Sequence, residues 1–131
     1  MPLTPEEAAY HKSIFEEECK TQPYKRVVIE SPYAGDTERN EAYARACMKH
    51  SLNQGEAPIA SHLLYTQPGV LDEEVPEQRQ WGIEAGYAWM VEAELVIFYV
   101  DVGFSHGMLQ AMHFAIEHKI SIEVRQILLP E

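Results

Sequence analysis

Residues 94–118, ELVIFYVDVGFSHGMLQAMHFAIEH, place Asp101, Ser105 and Gly107 between a continuous apolar run and an amphipathic one. Where a parallel strand hands over to a helix, such spacing sets an acid, a hydroxyl and the first helical N–H groups beside a crevice. Asp101 can orient a sugar hydroxyl there, Ser105 can cap the helix while facing a phosphate, and Gly107 leaves room for close approach. Met108 can pack on a base, or join Leu109, Met112 and Ile116 in an apolar helical stripe.

Two further segments carry chemistry-bearing groups. In Ser31–Asn40, Gly35 permits a tight turn and Asp36 can cap a helix whose early amides hold an anion, while Tyr33 and Asn40 reach the same space. An ordinary strand–turn–helix connection capped by Asp36 explains the same residues. In His62–Asp72, His62, Tyr65 and Gln67 offer polar contacts on an apolar loop, and Asp72 can bind a sugar hydroxyl or a base donor. Arg79 is the best anion binder, because its guanidinium makes two directed hydrogen bonds; an ion pair with Glu77, Glu84 or another carboxylate is the competing role. The histidines and cysteines match no metal-ligand spacing, so neither a metal nor a cofactor is expected. Trp81 and Trp89 read as packing residues.

The elements that must position these groups follow from periodicity. A helix is expected over Pro5–Cys19, opened by Thr4 and Pro5, with Ala8, Ile14, Phe15 and Cys19 as its apolar stripe. Strands are expected at Lys25–Glu30, Ala57–Ala60, Leu95–Tyr99 and Ile120–Val124. Helices are expected at Asp36–Asn53, Pro76–Val91 and Ser105–His118, with a helical turn in the loop after Ser61. Ala42, Ala46, Cys47 and Leu52 would bury the second helix. Apolar strands alternating with helices specify an α/β fold, a small doubly wound, mostly parallel sheet of about four or five strands with helices on both faces. Residues 1–24 form a helical extension and 25–131 the domain proper.

Composition narrows the function classes. The chain has 131 residues, 46% of them hydrophobic, which suffices for one domain with a sizeable core. Its net charge of −11 argues against general nucleic-acid binding, which needs a basic footprint. Cys19 and Cys47 supply no disulfide framework and are expected to be reduced, as in a cytoplasmic protein. No signal peptide and no membrane-length apolar run is expected.

In order and spacing the motifs resemble those of the nucleoside 2-deoxyribosyltransferase-like proteins, especially a compact, often phage-encoded branch, over roughly Lys25–Arg125. The resemblance rests on Ser31-Pro32-Tyr33-Ala34-Gly35-Asp36, the turn Gly55-Glu56-Ala57-Pro58 and Ser61-His62-Leu63-Leu64-Tyr65. Leu71-Asp72 with Arg79, then Asp101 with Ser105-His106-Gly107-Met108, complete it. It implies a Rossmann-like domain assembled as a homodimer or higher homo-oligomer, in the host-cell cytoplasm if phage-encoded. Its enzymes use a carboxylate to attack the anomeric carbon of a nucleoside or deoxynucleotide and release the base.

The chain departs from that pattern at the carboxylate. The family glutamate lies four residues after a glycine at the helix start; counted from Gly107, that position is Ala111, which cannot form the glycosyl intermediate. Three expectations compete. The leading one is a nucleotide-binding protein that senses or sequesters a signal, using Tyr33, Gly35, Asp36, Asn40, His62, Tyr65, Asp72, Arg79, Asp101, Ser105, Gly107 and Met108. The second is a rewired N-glycosidase or deoxyribosyltransferase in which Asp101, Asp72 or Glu84 supplies the missing carboxylate. The third is a protein-interaction domain that kept only the fold.

Overall fold

Apolar runs without polar alternation suit strands covered on both sides, and that is how the centre of the chain is built. The computed structural model describes residues 2–19 and 24–128; residues 20–23, at the expected domain boundary, and 129–131, at the expected domain end, lie outside them. The described elements are α1 (Pro5–Cys19), β1 (Lys25–Glu30), α2 (Thr37–Asn53), β2 (Glu56–Ile59), α3 (Ser61–Leu64), α4 (Pro76–Glu92), β3 (Leu95–Tyr99), α5 (His106–Glu117) and β4 (Ile122–Arg125). The four strands form one sheet in the order β2-β1-β3-β4, and every pairing is parallel. The chain is an α/β protein with helices on both faces of a small parallel sheet.

Alternation along the two central strands divides the core. Val27, Ile29, Leu95, Ile97 and Tyr99 pack with Tyr43 and Cys47 of α2 on one face. Val28, Val96 and Phe98 pack with Met90 of α4 and with Met108 and Ala111 of α5 on the other. All five residues of β3 are buried.

Two apolar stripes differ from expectation. The buried face of α2 consists of Asn40, Tyr43, Ala44, Cys47 and Ser51. Leu52 and Ala42 are exposed and Ala46 is only partly covered, because two polar residues, held by specific hydrogen bonds, occupy the inner face instead. On α5 the inner face is Met108, Ala111 and Ala115, with Met112 partly covered, while Leu109 and Ile116 are exposed. Small side chains let that helix lie close to the sheet. Trp81 is exposed rather than packed, and Trp89 is half-exposed, its indole N–H donating to the Tyr65 hydroxyl at 2.8 Å. In α1 both Ala8 and Ile14 are exposed, while the side chains of Phe15 and Cys19 lie outside the described residues. No helix among the described residues is long and apolar enough to cross a membrane.

A polar cluster ties the two edge strands together over the α2 side. Arg125, in β4, donates two hydrogen bonds to the Glu56 carboxylate of β2, at 2.8 and 3.0 Å, and also contacts Glu123. Ser51 donates to Glu56 at 2.7 Å, and the Tyr99 hydroxyl meets both Arg125 and His50. Arg125 holds the Glu56 carboxyl below its ordinary pKa, against the opposing effect of burial. A depressed carboxylate stabilises the fold above its unfolded pKa, and that contribution is lost as pH falls through the folded one. Glu56→Gln should therefore cost roughly 1–2 kcal/mol at pH 7, since the partly buried Arg125 loses its charged partner on β2 while keeping Glu123 and Tyr99. Urea titrations should show the gap from wild type closing at pH 3; an equal gap at both pH values would deny the pair this role.

Candidate functional site

Parallel strands leave their carboxyl ends on one edge of the sheet, and the chain departs from β1 and β3 in opposite directions along it. Ligand crevices form outside such a switch point. A cavity of about 200 Å³ opens there. Its floor is the end of β1, Glu30 and Ser31, continued by Tyr33 and Ala34. The short α3 contributes Ser61 and His62, followed by Tyr65 and Thr66; α4 contributes Gln78, Arg79, Gly82, Ile83, Gly86 and Tyr87. The start of α5 closes the site with Ser105, His106, Gly107, Gln110 and Ala111.

Local chemistry sets each wall. Ser105 caps α5, its hydroxyl accepting from the Met108 N–H at 3.2 Å, while its carbonyl accepts from Leu109. His106 and Gly107 line the cavity, and as the first residues of α5 their N–H groups have no acceptor within the helix, whose positive end favours an anion. Gly86 lets α4 lie against α3: a Cβ there would stand 2.6 Å from the Ser61 hydroxyl oxygen. On the floor, the Ser31 hydroxyl and His62 Nε2 are 2.7 Å apart. Burial pushes the His62 pKa down to about 4, so the imidazole is neutral at pH 7, and its Nδ1 is buried without a partner.

Glu30 is partly buried, and burial raises its carboxyl pKa from 4.5 to about 8. Burial also raises Glu73, with Arg79 acting in the opposite direction. Arg79 is exposed; it makes no ion pair with Glu77 or Glu84 among the described residues, and the carboxylate it acts on is Glu73. Among the described residues it is the one lysine or arginine lining the cavity.

Of the residues singled out in the sequence, Tyr33, His62, Tyr65, Arg79, Ser105 and Gly107 converge on this cavity. The others serve elsewhere. Asp36 caps α2, accepting from the Arg39 N–H at 3.2 Å, beside an exposed Gly35 at φ +101°. Asn40 is buried and fastens the loop, its amide donating to the carbonyls of Tyr33 and Ala34. Met108 is buried in the core rather than offered to a ligand. Asp72 lines an adjoining open groove with Gln67 and accepts from the Glu74 N–H. Glu84 is exposed and bonds Gln80.

Asp101 lies on the α2 side. It accepts from the Tyr43 hydroxyl at 2.5 Å and from the N–H groups of Ile127 and Leu128, latching the segment after β4. None of the three carboxylates proposed from sequence lines the cavity; Glu30 and Glu73 do. Glu30 was not singled out in the sequence, where it is the polar last residue of an apolar run. Its position at the carboxyl end of the first strand was the available signal.

Fold and site together define a single-sheet α/β protein with a cavity at its topological switch point. Residues 25–125 match the model of a domain of unknown function, DUF7768, and the chain belongs to that family. No curated protein matches it.

Two substitutions separate scaffold from site. Asp101→Asn should lower stability by roughly 1–3 kcal/mol through its weakened hydrogen bonds, without altering the cavity; thermal unfolding and an amide NMR spectrum would report both. Gly86→Ala should disturb the cavity directly, seen as amide shifts at Ser61 and His62. Shifts confined to α4 would contradict the close approach.

Proposed function

We propose that this protein binds a nucleotide or nucleotide derivative and acts as a sensor or sequestering protein in the cytoplasm. The observation that carries the reading is the convergence of the capped N-terminus of α5 with Arg79 on one cavity, giving an anionic group two kinds of donor. Ser31, His62 and Tyr33 supply neutral polar groups for the rest of the ligand, and Tyr65 and Tyr87 supply aromatic surface. The resemblance to nucleoside 2-deoxyribosyltransferase-like proteins supports the choice of a nucleotide over other anions. Ala111 supports binding over turnover, since a methyl group stands where that pattern has its nucleophile.

One observation favours a second reading, a rewired enzyme that breaks a glycosyl bond: Glu30 and Glu73 line the same cavity as Ala111. A carboxylate there could stabilise positive charge developing on a sugar.

Purified protein incubated with a panel of nucleosides, nucleotides and cyclic nucleotides, followed by mass spectrometry, decides between them. Retention of an intact nucleotide without free base is expected. Arg79→Ala should weaken that retention about tenfold, equivalent to ~1.4 kcal/mol. Catalytic release of base would replace the binding reading with the enzymatic one, and retention of no compound would remove both.

A further inference from the structure

One carboxyl group in the cavity has no partner among the described residues. Glu30 follows Val28 on the α4–α5 side of β1, directly beside Phe98 in the sheet register. It faces the cavity and makes no hydrogen bond or ion pair among the described residues.

The titratable and charged groups around the cavity do nothing to ionise it. From α4, Tyr87 is near enough for a negative Glu30 to disfavour its ionisation. Arg79, on the same helix, acts on Glu73, and burial alone accounts for the state of Glu30. His62 of α3 is neutral, and Tyr33 and Tyr65 carry no positive charge. His106 completes the set from α5. A carboxylate without a partner is costly away from water, whereas a carboxylic acid keeps one strong donor.

We infer that Glu30 is a ligand-reading acid: it stays as –COOH in the empty cavity, and its O–H donates to an uncharged acceptor of the bound molecule, a carbonyl oxygen or ring nitrogen. The inference rests on the reading of this cavity as a nucleotide site and adds the chemistry of the ligand's uncharged end. The anionic end lies with α5 and Arg79, and the acceptor end lies over β1. Such a pocket favours keto or imine acceptors over amines. An ammonium would instead ionise Glu30, release a proton and bind more tightly as pH rises.

The sign of the pH effect follows from the raised pKa. Protonation of Glu30 favours the folded state fully below 4.5, and that contribution is lost as pH rises through about 8. Glu30→Gln, which keeps a donor, should therefore have a higher Tm than wild type at pH 8.

Two measurements test the inference. The first is a carboxyl ¹³C NMR titration of ligand-free protein labelled at glutamate. One resonance should titrate near pH 8 and be missing from Glu30→Gln. The second is calorimetric titration with uridine 5′-monophosphate and guanosine 5′-monophosphate. Wild-type affinity should fall about tenfold from pH 7 to pH 9, as a group of pKa 8 ionises. Glu30→Gln should show a flat profile and Glu30→Ala weak binding at both values. A Glu30 midpoint below 6 overturns the inference whatever the nucleotides do. A midpoint near 8 with wild-type affinity unchanged at pH 9 overturns the donor role. If neither nucleotide binds at pH 6.5, the nucleotide reading fails on its own, and the acid stands on the titration.

Discussion

Everything in this molecule depends on the parallel pairing of β1 with β3. Val27–Glu30 lie in register with Leu95–Phe98, and Val27, Val28, Ile29 and the whole of β3 are buried. Removing those side chains from water contributes on the order of 2 kcal/mol each, enough to dominate the assembly of so small a sheet. Because the chain leaves the two strands in opposite directions, their carboxyl ends stand uncovered. The cavity is a consequence of that divergence.

The two faces of the sheet have taken on different work. On the α2 side, Arg125 pairs with Glu56, Asp101 with Tyr43 and the segment after β4, and the Asn40 amide N–H group with its own loop, while the Asn40 Oδ1 has no partner among the described residues. These contacts fasten edges and connections. On the α4–α5 side the sheet's upper end carries groups left incomplete, among them the Glu30 carboxyl and the first N–H groups of α5. Incomplete polar groups in a concavity are where a ligand gains most, since the protein already carries their desolvation cost.

The contrast between Asp101 and Glu30 shows why carboxylates are hard to assign from sequence. Both follow apolar strands whose carboxyl ends reach the same edge. Asp101 lies just beyond β3 and turns toward α2, where a tyrosine and two backbone amides satisfy it. Glu30 ends β1 pointing to the other face, where none of the described residues does. Facing follows from strand parity, but what waits on that face is set by helices distant in sequence.

The sequence by itself determined the element order, the parallel α/β class and the caps at Asp36 and Ser105, because apolar runs, helical periodicity and capping side chains act over a few residues. It also marked Tyr33, His62, Tyr65, Arg79, Ser105 and Gly107, residues of types that bind ligands in segments that border the strand ends. Only the tertiary structure decided that Asn40 and Ser51 join Tyr43, Ala44 and Cys47 on the inner face of α2, and that Ala111 and Ala115 join Met108 on that of α5, since hydrogen bonding and close helix–sheet approach override side-chain hydrophobicity there. Likewise, only the structure separated Glu30 from Asp101, Asp72 and Glu84, because whether a carboxyl is paired depends on partners that pairing and packing bring together from across the chain.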